Sequence, residues 1–484
     1  MTVVLFNPRA QKAHRRLPLS LLTLARVIEV PWVLVDANVE PDAEARLERA
    51  CAAPGTILFV TVMPGPQLAA ATPICRRLKA RFPELLVVWG GYFPTVYPEA
   101  SAGDAGVDIV VIGQGEQTVP ELLETLARGG PPETVAGVAV WRDGALRKGP
   151  PRGYARPADF GPLPYARIDM ERYAAQTFLG RRTFNHHTSA GCPYFCNFCA
   201  VVNMFEGRWI PDPAEDVVAT VRTLHRSYGA DAIEFHDNNF FAWEKRVAEV
   251  AAGIAPLGIG WWGEGRVDTM LGFSGATWEA MARSGLRMVF YGAESGDQAA
   301  IDRMDKGGLR VDDTLALNRL ARRHGVRPEF SFVLANPGDP EGDVARSLEL
   351  IRALKRDNPD CEIILYLYTP VPLPGMYDDA RREGFRLPQT IDEWLSPDWA
   401  GYDARRDPRT PWSSAALRRH VYDFETVLHA RFPTISDLHL GTGQRRVLRA
   451  LARVRWRFGW YASPWELRLL QRAWSYRRPE EMGF

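Results

Sequence analysis

Cysteine is scarce in this chain, with six in 484 residues. So few thiols cannot frame a small disulfide-stapled fold of this length. Long apolar runs are missing too: no uninterrupted stretch approaches the roughly 20 residues that a bilayer-spanning helix needs. Neither sign of charge dominates. Lys and Arg number 59, Asp and Glu 58, for a formal net charge of +1. The whole-chain balance therefore points to no polyanionic partner, and no nucleic-acid partner is expected. No charged segment followed by an apolar one opens the chain; Met1 leads straight into the strand-like TVVLFNP. These absences together read as a cytoplasmic protein whose thiols stay reduced. What remains, 46% hydrophobic and 24% charged, suits two or three globular domains with sizeable cores.

Up to about Trp141, short apolar runs alternate with helical patterns. VVLF (3–6), WVLV (32–35), TILFVTV (56–62), LLVVW (85–89) and DIVVIG (108–113) read as buried parallel strands. Strand and helix in alternation predict a doubly wound, Rossmann-like α/β sheet over residues 1–141. Such sheets bind ligands beyond the carboxyl ends of their strands, where strand order reverses. The loops at those ends are Asn7-Pro8-Arg9, Met63-Pro64-Gly65-Pro66-Gln67, Gly90-Gly91-Tyr92 and Gly113-Gln114-Gly115-Glu116. Glycine in three of them lets a ligand come close to the backbone. Residues 142–181, rich in Pro and Gly, read as a linker. From 182 to 385 strands and helices alternate again, in about six β/α units, which predicts a partial or complete barrel with its chemistry at the strand carboxyl ends. Residues 386–484 read as a mostly helical region that caps the barrel. From Gly441 onward they hold ten arginines against three glutamates. That basic run reads either as an ordinary helix with a solvated side or as a surface for peripheral membrane contact.

Half of the cysteines crowd into AGCPYFCNFCAV (190–201), as Cys192, Cys196 and Cys199; Cys51, Cys75 and Cys361 stand singly. The spacing C-x3-C-x2-C puts three thiolates on one short loop. They can hold three irons of a cuboidal [4Fe-4S] cluster and leave the fourth iron open to a substrate or cofactor. A zinc site is the competing reading; it lacks a second cysteine pair, although His186, His187 or His236 could supply a fourth ligand. Spacing and context favour the cluster.

With that motif, and with Phe198 just before its last cysteine, the chain resembles the radical S-adenosylmethionine (radical SAM) enzymes. The resemblance extends to HDNNFF (236–241), GEGRVD (263–268), YGAESGDQAAIDRMDKG (291–307), LANPGDPEGD (334–343) and TPVPLPG (369–375) at successive strand ends. The N-terminal region, through FNP, MPGPQ, VWGGYFPT and GQGEQT, resembles the cobalamin-binding domain fused to such barrels. The pattern is that of cobalamin-dependent radical SAM enzymes of the class B methyltransferase type.

The resemblance implies an α/β architecture of cobalamin domain, (β/α)6 barrel and helical C-terminal region. Its catalytic and metal residues would be Cys192, Cys196 and Cys199. SAM contacts would come from Phe198, beside the adenine; Asp237 and Asn238, at the methionine amino group; Arg266, at the carboxylate; and Glu294 and Ser295, at the ribose. Cobalamin would sit on Asn7, Pro8, Arg9, Gly65, Pro66, Gln67, Gly90, Gly91, Tyr92, Gly113, Gly115 and Glu116. The D-x-H-x-x-G motif that donates a histidine to cobalt is absent after the first strand, and His14 lacks its surroundings; cobalt would then have no histidine ligand. The activity implied is methylation of an unactivated carbon of a small-molecule, lipid, tetrapyrrole or peptide substrate, fed by a flavodoxin- or ferredoxin-like electron donor. A non-methylating ring closure, rearrangement or oxidation is the alternative, and a non-catalytic cofactor sensor a third. Trp261, Trp262 and Tyr291 read either as pocket lining or as core.

Overall fold

The computed structural model describes residues 1–10, 15–399, 402, 408 and 410–478. The N-terminal sheet has seven strands: β1 (Thr2–Asn7), β2 (Trp32–Asp36), β3 (Thr56–Thr61), β4 (Leu86–Gly90), β5 (Ile109–Val111), β6 (Val138–Arg142) and β7 (Ala145–Lys148). Their order is β2-β1-β3-β4-β5-β6-β7. The first five run parallel, and β6 and β7 add an antiparallel edge. Strands β1 and β3 are apolar almost throughout because helices cover both faces. The stretch expected to be a linker therefore opens as a strand. Asp143 and Gly144, both at positive φ (52° and 72°), form the two-residue turn of a hairpin.

The second sheet is preceded by a stretch of short turns. It contains β8 (Thr183–His186), β11 (Ala232–Phe235), β12 (Gly260–Gly265), β13 (Leu286–Glu294), β14 (Arg327–Leu334) and β15 (Glu362–Leu367); β9 (Ser189–Gly191) and β10 (Trp209–Pro211) pair separately. The six strands are all parallel, in the order β15-β14-β13-β12-β11-β8, so the sheet is an open (β/α)6 arrangement with edges at β8 and β15. Its connecting helices are amphipathic. In Ala214–Tyr228, Val217, Val218, Val221 and Leu224 face the sheet at helical spacing, and Gly229 at φ 67° ends the helix.

The two sheets share one continuous core, which holds Leu5 and Leu22 together with Phe184 and Trp261. Arg16 joins them electrostatically: it pairs with Glu234 of β11 at 3.0 Å. Beside it, Leu17 N donates to Asn185 Oδ1 of β8 at 2.7 Å.

The C-terminal region divides in two. Residues 377–399 and Tyr402 return to the N-terminal sheet, where Trp394 lies against Phe93 and Tyr97 at ring separations of 5.5 and 4.9 Å. Helices Ala415–Arg431, Thr442–Phe458 and Trp465–Ala473 pack on one another, with Phe424 against Trp456 and Tyr461. Of the region expected to cap the barrel, the described residues of the first part thus cover the N-terminal sheet, to which their aromatics are drawn.

Candidate active site

Gly191 explains the Gly-Cys-Pro at the head of the cysteine loop. It pairs with Trp209 across β9 and β10, at φ 78°, and a Cβ there would meet the Arg208 carbonyl at 2.1 Å. Only glycine fits. The loop that follows carries Cys192, Cys196 and Cys199 to the start of helix Ala200–Phe205. Asn197 anchors it: its amide N donates to Met304 O (3.1 Å) and its Nδ2 to Arg303 O (2.8 Å). Tyr194 completes the clamp through Thr269 (2.9 Å between hydroxyl oxygens) and beneath the Arg266 guanidinium, 3.8 Å from its ring centre.

The thiols stand among donors suited to thiolates. Arg266 Nη1 lies 3.3 Å from Cys196 Sγ, and Asn239 Nδ2 lies 3.8 Å from Cys192 Sγ. Buried side-chain oxygens without a partner stand on the segments that approach the loop: Asn239 Oδ1, Ser189 Oγ, Asn336 Oδ1 and Tyr368 OH. Among the described residues no three His, Cys, Asp or Glu side chains meet closely enough to hold one ion. Three thiolates, each on its own iron of a cube, need not meet. His236 contacts Glu234 at 3.1 Å instead. The residues present thus fit a three-cysteine cluster with an open iron better than a mononuclear zinc site.

Several residues expected to touch SAM are otherwise engaged. Arg266, expected at the carboxylate of SAM, directs its guanidinium to Asp268 (2.7 Å), the Lys306 carbonyl (2.5 Å) and Cys196, and so braces the cysteine loop. Asp237 is buried and accepts from the Thr188 amide (2.5 Å) and hydroxyl. Asn238 is exposed, whereas its neighbour Asn239 is the buried one that reaches Cys192. Ser295, expected at the ribose, is fully buried; its hydroxyl donates to Asp343 and accepts from the Asp297 amide at 2.9 Å. Glu294 is buried in an ion pair with Lys306, whose ammonium stands 5.8 Å from the Phe198 ring centre. Phe198 packs beside Met304, Val333, Tyr368 and Met376, an apolar wall next to the cysteines.

The cobalamin-type loops assemble at the predicted edge. Strand order reverses between β1 and β3, and there Gln67 Nε2 donates to Asn7 Oδ1 at 3.1 Å. Asn7 in turn donates to Asp36 (3.1 Å). Gly65 and Gly91 have φ of 77° and 97°, and a Cβ on Gly91 would come within 3.2 Å of Thr61 Oγ1. A cavity of about 480 Å³ opens beside Arg9, Gly65 and Pro66, closed by Trp394, Trp399 and Tyr402. Of the other loop residues, Gly115 leaves room for Leu24, and Glu116 is paired with Arg26 at 3.1 Å. The loop edge faces the cysteines. The helix Tyr92–Val96 packs on Ala200–Phe205, and the Tyr154 hydroxyl, 3.3 Å from where a Gly113 Cβ would lie, donates to the Met204 carbonyl. His14 lies outside the described residues.

A group of acids within the second sheet escaped the sequence reading. Burial pushes the Glu264 carboxyl up to about 8, with Asp237 adding repulsion. Burial likewise raises Glu329 to about 8, with Glu362 adding repulsion. Glu234, although equally buried, is held down at about 2 by Arg16 and His236. Trp262 donates to Glu329, whereas Trp261 and Tyr291 are plain core. The sign follows: between about 4.5 and 8 the folded chain keeps two protons that the unfolded chain releases, so stability falls as pH rises through that window. The double variant Glu264→Gln/Glu329→Gln is expected to flatten this decline, raising the thermal midpoint at about pH 8 by a few degrees and changing it little near pH 5. An unchanged slope would show that these carboxyls ionise normally.

Two family models match the chain: the B12 binding domain over residues 17–123 and the radical SAM superfamily over 187–351. An uncharacterised methyltransferase of Pyrococcus horikoshii is 29% identical over 277 residues, 56% of this chain and 59% of that protein. The chain thus spans about six-tenths of that relative's length. The anaerobic magnesium-protoporphyrin IX monomethyl ester cyclase of Synechocystis is 25% identical over 412 residues, 81% of this chain and 79% of its own. In fold, the chain matches the cobalamin-dependent radical SAM enzyme OxsB with a TM-score of 0.71 at 14% identity, covering 98% of this chain and 75% of that one. It matches the radical SAM methyltransferase TsrM of Kitasatospora setae with 0.67 at 16%, covering 98% and 99%. A cobalamin-type sheet whose glycine loops face a three-cysteine loop on an open parallel barrel defines a two-cofactor class. The chain joins a match to the B12 binding domain with a match to the radical SAM superfamily, the two domains of that class. Among the described residues no helix is long and apolar enough to cross a membrane.

Proposed function

We propose that this chain is a cobalamin-dependent radical SAM methyltransferase acting on an unactivated carbon, or another poorly nucleophilic centre, of a small-molecule, lipid, tetrapyrrole or peptide substrate in the cytoplasm. One observation carries the reading: the cysteine loop and the glycine loops of the N-terminal sheet face one another through helices Ala200–Phe205 and Tyr92–Val96, joined by Tyr154. Two cofactors held at these loops would share one chamber. When bound, the cluster supplies the electron that cleaves SAM, and cobalamin carries the methyl group.

The chain's own residues bind, orient and shield. Cys192, Cys196 and Cys199 would hold the cluster. Arg266 and Asn239 donate toward its sulfurs, a lever on reduction potential. Phe198, Met304, Val333 and Tyr368 form an apolar wall that excludes water from reactive species. Asn7 and Gln67 tie together the two loops at the switch point. An electron donor of flavodoxin or ferredoxin type would reduce the cluster.

A second reading is favoured by one relative: the Synechocystis cyclase aligns over 81% of this chain. Turnover of methyl-labelled SAM, under reducing and anaerobic conditions and with a small-molecule extract of the source organism, separates the two. Methyl transfer yields S-adenosylhomocysteine together with 5′-deoxyadenosine; ring closure or oxidation yields 5′-deoxyadenosine alone. Absence of both would leave a cofactor-binding sensor.

A further inference from the structure

Helix Thr442–Phe458 buries one narrow face, Leu448, Ala452 and Arg455. The residues one position away carry a second apolar stripe, Val447, Leu451, Val454 and Phe458, and all four are exposed. The spacing i, i+4, i+7, i+11 puts them on one line, about 100° around the helix from the buried face. The stripe continues past the helix. Phe458 is 75% exposed, Trp465 66% and Trp460 57%, all at the turn that joins the next helix, where Leu469 follows one turn on from Trp465. Seven of the fourteen exposed large apolar side chains of the described residues thus fall within 447–469. Scattered exposed apolar residues are ordinary; half of them within one twentieth of the chain is not.

Charge says what covers this face. Arg446, Arg449, Arg453 and Arg457 form a third, exposed line on the same helix, and among the described residues none has a carboxylate partner. Between Gly441 and Ala473 the sole acid is Glu466, held by Arg455 at 2.5 and 3.0 Å. A second copy of the chain would bring arginine rows against each other. An anionic lipid surface instead accepts the arginines among its headgroups and the apolar stripe at the acyl boundary, with Trp460 and Trp465 at the interface. We propose that residues 442–469 form a docking face for an anionic membrane surface, on which the enzyme sits peripherally. This surface is independent of the proposed methyl transfer and stands or falls without it.

Flotation of the full chain with vesicles tests it. The expected result is co-flotation with phosphatidylcholine–phosphatidylglycerol vesicles, weaker with phosphatidylcholine alone and weakened by salt. Leu451→Glu/Phe458→Glu, at positions already in solvent, should cut binding by about tenfold or more with cofactor content and thermal midpoint unchanged. Arg449→Glu/Arg453→Glu should remove the preference for the anionic lipid. Three results would overturn the proposal: no flotation with either vesicle, equal flotation of the Leu451→Glu/Phe458→Glu variant, or a wild-type dimer that this variant dissociates.

Discussion

Replacing Cys196 by alanine is expected to abolish the proposed SAM cleavage and to leave cobalamin content unchanged. Cys196 is the most buried of the three clustered thiols, 7% exposed, and the Arg266 guanidinium meets it at 3.3 Å. Two remaining thiolates cannot hold three irons of a cube. The fold survives the change, because Arg266 keeps Asp268 and the Lys306 carbonyl, and the loop keeps its Asn197 anchor. The cobalamin loops lie on the other sheet. The check is 5′-deoxyadenosine formation against bound cobalamin, measured on the same preparation. Cleavage at the parent rate would mean that the cysteine loop is not the catalytic one.

Arg246→Ala is expected to cost the fold several kcal/mol of stability, on the order of a broken buried ion pair. Arg246 is buried and donates to the Asp212 carbonyl (2.8 Å), the Thr188 carbonyl (2.8 Å) and the Thr188 hydroxyl (2.7 Å). That hydroxyl in turn donates to Asp237. Its charge faces two buried carboxylates, and burial already raises Asp212 to about 6. Removing the guanidinium leaves Asp237 and Asp212 uncompensated, at a cost of about 3–5 kcal/mol. The loss should grow with pH, because without the cation burial raises Asp212 further and the folded chain holds its proton to higher pH than the unfolded one. Thr188 adjoins β9, so iron incorporation should fall with stability. Denaturant unfolding of the apoprotein measures the first effect and iron content the second. A cost below about 1 kcal/mol would show that the two aspartates do not depend on Arg246.

The architecture was largely legible because period and spacing are local properties. Buried parallel strands such as Thr56–Thr61 are near-continuous apolar runs, and the three cysteines are seven positions apart in all. What escaped depends on tertiary aim. Asn238 and Asn239 are adjacent in HDNNFF, and only the backbone after β11 decides that Asn239 turns inward. The hydroxyl of Ser295 meets Asp343, 48 residues on, a pairing that no local pattern announces. The pairing of Arg266 with Asp268, only two residues away, carries no signal in GEGRVD that sets it apart from a chance neighbour. One miss was avoidable: the Asp143-Gly144 pair between two alternating runs is a hairpin signal, and it extends the first sheet into the supposed linker. The acids Glu264 and Glu329 carry no motif; they matter because two separate strands point them into the same interior.

Cofactor stoichiometry tests the central claim most directly. The chain is purified anaerobically, reconstituted with iron and sulfide and supplied with cobalamin, and iron, zinc and cobalt are counted per chain. The account predicts about four irons and one cobalt, with zinc negligible. Zinc in place of iron would make the cysteine loop a structural site and contradict the account outright. Iron without cobalt would contradict its methyl-transfer half.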